Sequence, residues 1–221
     1  MKKQIAVILL GILCIASGCK KSNNNSNGSN NSGAAISEKT WWGELTNQNE
    51  KSQYYSVHFN SDSSFVWNQA LGEYFGDWSL SGNHLTLSFR DLSVIVEADI
   101  SGGNKWVNIK TNNTSTVDNG QLFTSPSQKA LDGTVWKGTY KDLHDVSYTL
   151  EIDFPDAVNM QVTIGNSAAA AYTYARSTSG VIIRTPQGSS DSHVYFGLIM
   201  SDTQMQGTDM NPDNRWQVTK Q

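Results

Sequence analysis

Short stretches in which apolar and polar side chains alternate are the feature that most constrains the fold of this chain. The alternation is clearest in segment 147–154, where apolar side chains recur at every second position, and similar stretches surround Val57, Leu87, Val96 and Leu198. A period of two places successive side chains on opposite faces of a β-strand. No segment shows the longer period of an amphipathic helix. The sequence therefore predicts an all-β protein.

Turn-forming residues separate these stretches about every ten residues, a spacing typical of antiparallel meanders. Examples are Asn60-Ser61-Asp62, Ser81-Gly82-Asn83 and Asn119-Gly120. A meander with one apolar face per strand closes either as a barrel or as a two-sheet sandwich. The short turns favour the barrel, because sandwiches of the immunoglobulin type need longer connections. We therefore predict antiparallel β-barrels and keep the sandwich as the alternative.

Residues 40–221 read as an internal repeat, which predicts two tandem barrels. Matching positions in the two halves are Thr40/Thr134 and Trp42/Trp136 at an offset of 94 (136 − 42), Phe59/Phe154 at 95, Tyr74/Tyr172 at 98 and Ile100/Met200 at 100. Small insertions in loops produce such a growing offset. The predicted domains are residues 40–125 and 133–221, joined by a linker over 126–132.

The first residues have the layout of a secretory signal peptide. Lys2 and Lys3 precede an apolar segment over 5–15, which is too short to span a bilayer comfortably. Ala16-Ser17-Gly18 and Cys19 then follow, and this end resembles the lipobox of bacterial lipoproteins, with Ala16 where a Leu is usual. The resemblance implies removal of residues 1–18 and a lipid on Cys19. An ordinary secretory signal with the same cleavage site is the alternative. Lipidation is favoured because the second cysteine, Cys14, lies in the removed segment and leaves Cys19 without a partner.

Residues 19–39 are rich in Asn, Ser and Gly and predict a disordered tether that begins at the lipidated Cys19. Its reach is roughly 25 Å for a flexible coil of this length. We expect a protein of the cell envelope, anchored by more than one acyl chain. The residues after Cys19 are basic and polar, which favours the periplasmic face of the outer membrane and leaves surface display open.

Charge and motifs argue against several classes of function. The chain has 16 basic and 20 acidic residues and no basic stripe, so we expect no nucleic-acid partner. Segment 209–213 opens like a calcium loop, but Asn214 and Lys220 replace the required Gly and Glu, so we expect no metal. Nucleophile-elbow, phosphate-loop and dinucleotide motifs do not occur. We predict a monomer that is not an enzyme and uses no cofactor.

Two further motifs resemble the lipocalin-like domains of bacterial lipoproteins. The second half opens with Gly133-Thr134-Val135-Trp136-Lys137-Gly138, and the first half carries Tyr74-x-x-x-Trp78 followed by Gly82-Asn83. Lipocalins have Gly-x-Trp, whereas here one more residue separates Gly133 from Trp136, and Arg176 stands where the repeat places Trp78. The resemblance implies barrels whose interior takes a small apolar or amphipathic ligand, with Trp42 and Trp136 closing one end.

Because apolar strand faces line a barrel interior, the predicted ligand-binding residues are Tyr74, Trp78, Tyr172 and Phe196. Trp106 is predicted on the outer surface, where it would contact a sugar or a partner protein, or pack against the other domain. The favoured function is a non-catalytic binding protein for a small apolar or amphipathic ligand. The alternative is an interaction module with filled barrels that contacts envelope proteins or glycans, and an enzyme is the least favoured reading.

Overall fold

The computed structural model describes residues 36–46, 52–70, 72–124, 127–177, 181–186, 195–209 and 214–221. All regular secondary structure in these ranges is β-strand, which confirms the predicted all-β class. Cys19, the signal segment and the tether up to residue 35 lie outside the described residues. The tether prediction extended too far towards the body, because Ile36 is 1% exposed in the first core and β1 begins at Lys39.

The first half forms one curled antiparallel sheet. Its seven longer strands pair in chain order: β1 (Lys39–Thr46), β2 (Gln53–Phe59), β3 (Ser64–Gln69), β4 (Gly72–Ser81), β5 (His84–Phe89), β6 (Ile95–Ser101) and β7 (Lys105–Thr111). Two short strands follow, β8 (Thr116–Val117) and β9 (Gln121–Leu122). Gln121 in β9 pairs with Trp42 in β1 and with Lys105 in β7. The sheet thus curls far enough for a two-residue strand to bridge its outer strands.

The second half is a closed barrel of eight antiparallel strands. Its strands are β10 (Thr134–Lys141), β11 (Ser147–Phe154), β12 (Asn159–Ile164), β13 (Ala170–Arg176), β14 (Val181–Pro186), β15 (Tyr195–Ser201), β16 (Gln204–Asp209) and β17 (Arg215–Lys220). The barrel closes where β10 pairs with β17 over six residue pairs, from Trp136↔Lys220 to Lys141↔Arg215. For this half the predicted barrel is confirmed and the sandwich alternative is wrong.

Each half has its own apolar core, and no strand of one sheet pairs with the other among the described residues. Leu131, in the segment predicted as a linker, is buried in the second core. Arg176 holds the same segment by donating to the carbonyl oxygens of Ser127 and Lys129, both at 2.6 Å. The segment before β10 is therefore packed onto the second barrel.

Strand register gives the relation between the halves directly. Trp41 lies opposite Val57, which lies opposite Trp67 in the first sheet. Trp136, Ile152 and Val162 form the same row in the second barrel. All three positions differ by 95 residues (136 − 41 = 95), so the offset is constant over the first three strands of each half.

The equivalent of Trp136 is therefore Trp41, and the prediction that paired it with Trp42 is wrong by one residue. The faces agree with this register: Trp41 and Trp136 are both buried in their cores, whereas Trp42 packs in a separate cluster. The shift matters because one residue moves a side chain to the opposite face of a strand.

The fourth strand of each half, β4 and β13, shows that a second predicted equivalence, that of Trp78 with Arg176, is also wrong. Trp78 packs edge-on against Phe59 with ring centroids 5.7 Å apart, and Tyr174 packs edge-on against Phe154 at 4.9 Å. Trp78 therefore corresponds to Tyr174 rather than to Arg176. By the same register Tyr172, opposite Met160, corresponds to Gly76, opposite Phe65, so Tyr74 and Tyr172 are not equivalent.

A third apolar cluster joins the two halves, which belong to one compact unit. It contains Ala70 and Phe123 from the first half and Phe196 and Leu198 from the second, with Trp42, Tyr54 and Met200 packed against it. Phe196 was predicted to face the barrel interior. The structure reverses this, because Ile199 lies in the barrel core and Phe196 lies in the cluster against the first half.

The prediction that Trp106 lies on the outer surface is also wrong. It is buried in the first core, where its indole stacks on that of Trp41 with ring centroids 5.7 Å apart, and it is therefore no surface platform. Its neighbour Val107 takes the exposed face. Gly120 makes room for the indole, since a Cβ at that position would lie 2.3 Å from the ring.

Candidate ligand site in the second barrel

The interior of the second barrel contains a small, partly open cavity of about 20 Å³. Its wall is mostly apolar and comes from strands β10, β11, β12, β15 and β17. The aliphatic lining residues are Leu150, Ile152, Met160, Val162 and Ile164. A cavity of this volume holds about one water molecule. A ligand larger than a water molecule therefore needs the lining side chains to move apart.

Position-by-position comparison explains why this barrel has a cavity. In the first half Tyr55 lies flat on Trp67, with ring centroids 3.9 Å apart and planes inclined by 8°. The equivalents 95 residues later are Leu150 and Val162, which both line the cavity. Two stacked rings are thus replaced by two aliphatic side chains that are smaller by several heavy atoms each.

The neighbouring positions follow the same trend. Phe65 corresponds to Met160, and Trp106 corresponds to Met205, since Ile100 lies opposite Trp106 and Ile199 lies opposite Met205. Aromatic side chains fill the first sheet, and aliphatic ones leave space in the second. Thioether side chains are also flexible enough to reshape around a guest.

A buried polar cluster lies beside the cavity wall. The hydroxyl of Tyr140, a lining residue, donates to Asp209 Oδ2 at 3.0 Å, and Asn214 Nδ2 donates to the same oxygen at 2.9 Å. Asp209 and Asn214 are both buried. Burial raises the pKa of Tyr140, and the neighbouring Asp209 carboxylate raises it further, so Tyr140 stays a neutral donor at physiological pH.

Trp216 adds a second polar group to the lining. The residue is 7% exposed, and its indole N–H has no acceptor among the described residues. The ring lies close against Gly207, where a Cβ would come within 2.2 Å of it. A buried donor without an acceptor costs free energy, which a ligand oxygen could recover.

The structure separates the four predicted ligand-binding residues. Tyr74 and Trp78 pack at the edge of the first core, and the Trp78 indole donates to the carbonyl of Asn60 at 3.2 Å. Tyr172 packs at the edge of the second core, with its ring edge-on to Tyr195 at 5.9 Å. Neither it nor Phe196 lines the cavity described above.

The lining residues that sequence reasoning missed include Tyr140, Leu150, Met160 and Val162. The signal that could have found them is the loss of aromatic side chains at equivalent repeat positions. The offset of 95 that pairs Phe59 with Phe154 already pairs Tyr55 with Leu150. The equivalence of Trp67 and Val162 was missed because it needs the register of β3 and β12.

Polar clusters elsewhere give no metal centre. Among the residues that the structure describes, no group of three or more His, Cys, Asp and Glu side chains could hold an ion. His84, for example, contacts Asp99 at 3.0 Å on the open surface. Residues 210–213 of the segment that resembles a calcium loop, and His193, lie outside the described residues.

In comparisons with known proteins, no family model, curated protein or solved structure matches this chain. In the described ranges there is also no helix of the length and apolarity needed to cross a bilayer.

Proposed function

We propose that this chain is an envelope lipoprotein whose second barrel, lipocalin-like in architecture, binds a small apolar or amphipathic ligand without catalysis. The observation that carries the proposal is the replacement of the stacked pair Tyr55 and Trp67 by Leu150 and Val162, which line the cavity. Small-molecule sites are lined mostly by apolar side chains with a few polar groups, and the lining here, which encloses about 20 Å³, would open further to admit a ligand.

The wall chemistry supports an amphipathic ligand over a purely apolar one. The aliphatic side chains would cover an alkyl chain, and apolar burial contributes about 0.8 kcal/mol per methylene group. Tyr140, which is held by Asp209, and Trp216 both belong to the lining and would meet the polar end. The phenol proton of Tyr140 is donated to Asp209, so its oxygen can only accept from a ligand, whereas the indole N–H of Trp216 favours an oxygen acceptor on the ligand.

The first half has a different role in this proposal. Its interior holds three stacked or edge-packed indoles, those of Trp41, Trp67 and Trp106, which leave it filled. It therefore serves as a rigid support that lies between the tether and the binding barrel in the chain. The lipid on Cys19 would hold the whole protein at a membrane, where apolar ligands are concentrated.

Filling the cavity tests the proposal. The Cys19→Ser chain carries no acyl group, so a fluorescent alkyl-chain carboxylate can be titrated into it without competition from the lipid of the protein itself. We expect saturable binding with one ligand per chain. The double variant Leu150→Tyr/Val162→Trp reproduces the aromatic stack of the first half and should weaken binding at least tenfold.

The matched control is the reciprocal change Tyr55→Leu/Trp67→Val, which empties the first half and leaves the second barrel intact. It should lower the melting temperature while the affinity of the second barrel stays within a factor of two. Absence of saturable binding in the parent chain, or equal binding by the filled variant, would contradict the proposal.

A further inference from the structure

A second concave site lies on the outside of the second barrel, separate from the interior cavity. Its floor is the outer face of β10, β17 and β16, three neighbouring strands of the closed sheet. Two overlapping depressions of about 280 Å³ and 200 Å³, both open to solvent, share Thr139, Gln206 and Gln217. We call this continuous depression the glutamine groove. One end reaches Tyr54 of the first half.

The register places hydroxyl and amide side chains side by side across the groove. Thr139 lies opposite Gln217, which lies opposite Gln206. Thr219 lies opposite Gln204 in the next outward-facing row. Neighbouring strands are about 4.8 Å apart, and successive outward rows about 7 Å apart. The groove is therefore a lattice of primary amides and hydroxyls.

The amides of the groove are available to a ligand. The side chains of Gln204, Gln206 and Gln217 make no hydrogen bond to other described residues. Each primary amide offers two donors and one acceptor oxygen. Three such amides on the neighbouring strands β16 and β17 can form hydrogen bonds with a molecule rich in hydroxyl groups, which both donate and accept.

Most of the charge in the groove is already matched. Lys137 Nζ lies 2.8 Å from Glu151 Oε2, and Arg215 Nη1 lies 3.2 Å from Glu44 Oε1. Lys141, at the same end as Arg215, is the one lining cation with no acidic partner among the residues described here. The middle of the groove is therefore electrically neutral, and charge complementarity selects a neutral occupant over a polyanion.

The strands of the floor also disfavour a peptide. β10, β16 and β17 are each paired on both sides within the closed barrel, so they offer no free edge for strand addition. Met205, Val218 and Trp216 of the lining are buried in the barrel core, so Met200 and Tyr54 are the apolar side chains left to anchor those of a peptide. A hydroxyl group, by contrast, both donates and accepts a hydrogen bond. It can therefore pair with the amide N–H groups and oxygens of Gln and with the hydroxyl of Thr.

We propose that the glutamine groove binds a neutral glycan chain, held by hydrogen bonds from Gln204, Gln206 and Gln217 to its hydroxyl groups. The groove and the barrel interior lie on opposite faces of the same strands and share Trp216 in their linings. The protein then holds two ligands of different chemistry, one apolar inside the barrel and one polar outside it.

Affinity electrophoresis tests this with the full chain, solubilised in a nonionic detergent whose headgroup is not a sugar. Native gels would contain one of three neutral polysaccharides (dextran, galactomannan or hydroxyethyl cellulose), the polyanion alginate, or gelatin as a peptide polymer. We expect at least one neutral polysaccharide to retard the protein, with less than a twofold change in affinity between 50 and 500 mM salt, since charge contributes little.

The variant Gln206→Ala/Gln217→Ala should weaken this binding at least tenfold. The control Gln161→Ala removes an exposed glutamine from the outer face of β12, away from the groove, and should bind like the parent. Equal melting temperatures for all three proteins show that folding is intact. The proposal is overturned by no retardation in the neutral gels, by retardation only in alginate or gelatin, or by equal binding of the double variant.

Discussion

Arg215 in β17 contacts Glu44 in β1 across the two halves, with Nη1 and Oε1 3.2 Å apart. Arg215 also donates from Nη2 to the carbonyl oxygen of Ser52 at 2.7 Å, and its guanidinium lies over the ring of Tyr54. The Arg215 and Glu44 side chains are 33% and 29% exposed. Because Asn214 and Trp216 flank Arg215 in the chain, this contact ties the cavity lining of the second barrel to the first half.

We predict that Arg215→Ala lowers the free energy of unfolding by about 1–2 kcal/mol, a range reduced for partial exposure to solvent. Urea unfolding followed by circular dichroism measures the change. Arg90→Ala is the matched control, since Arg90 pairs with Asp77 on the open surface and should lose much less. An Arg215→Ala protein as stable as the parent would show that the contact between the halves is dispensable.

Phe196 is predicted to hold the two halves together. It is fully buried among Ala70, Phe123 and Leu198, so Phe196→Ala should cost about 3–5 kcal/mol, as large aromatic truncations do. Hydrogen exchange should then rise in β2 of the first half as well as in β15. Ile199→Ala, in the neighbouring but inward-facing position, should raise exchange in the second barrel alone. Unchanged protection of β2 in Phe196→Ala would rule out this role.

Alkaline pH should destabilise the protein through its buried tyrosines. Burial raises the pKa of Tyr55 and that of Tyr140 above the ordinary value of about 10. Their folded-state pKa values exceed the unfolded ones, so their contribution to stability is complete below about pH 10 and is lost as the pH rises further. The urea midpoint should therefore fall above about pH 10.

The variant Tyr140→Phe removes one of these ionisations. It should show a shallower fall of the urea midpoint above about pH 10, even though it also loses the hydrogen bond to Asp209. Phenolate absorbance, recorded in the same titration, should rise for the buried tyrosines only together with unfolding. A parent protein with a flat midpoint over this pH range would contradict the assignment.

Changing Cys19 to Ser tests the predicted anchor. If the thiol carries the lipid, Cys19→Ser should leave the protein unprocessed or release it from the membrane fraction. Fractionation and the mass of the mature chain measure both outcomes. Membrane association and cleavage like those of the parent would show that Cys19 carries no anchor. Protease treatment of intact cells would separately show which side of the membrane the protein faces.

Alternation of apolar and polar residues was enough to predict the strands and the fold class. Segment 147–154, for instance, is β11, with Leu150, Ile152 and Phe154 buried as the alternation requires. The closure of the second barrel was also predictable from its short turns. These features depend on local sequence, where a period of two leaves little choice.

Which face of a strand points inward was harder to predict where both faces are apolar. In β15 the inward residue Ile199 is flanked by Leu198 and Met200, which pack towards the first half, so period alone could not separate core from interface. Trp41 and Trp42 present the same ambiguity in β1. The cavity was invisible for a related reason, since it depends on aligning Trp67 with Val162 through strands whose register only the structure gives.

The uneven filling of the two halves divides the tryptophans between them. Five of the seven belong to the first half, and the stacks of Trp41 on Trp106 and of Tyr55 on Trp67 bring their chromophores into close contact. Such contacts couple the electronic transitions of the rings and give circular dichroism bands that vanish when the first half unfolds. Trp216 lines both the cavity of the second barrel and the outer groove, where its emission would respond to a ligand at either place. The protein therefore carries two optical reporters, one for the integrity of its first half and one for the surroundings of Trp216 in its second barrel.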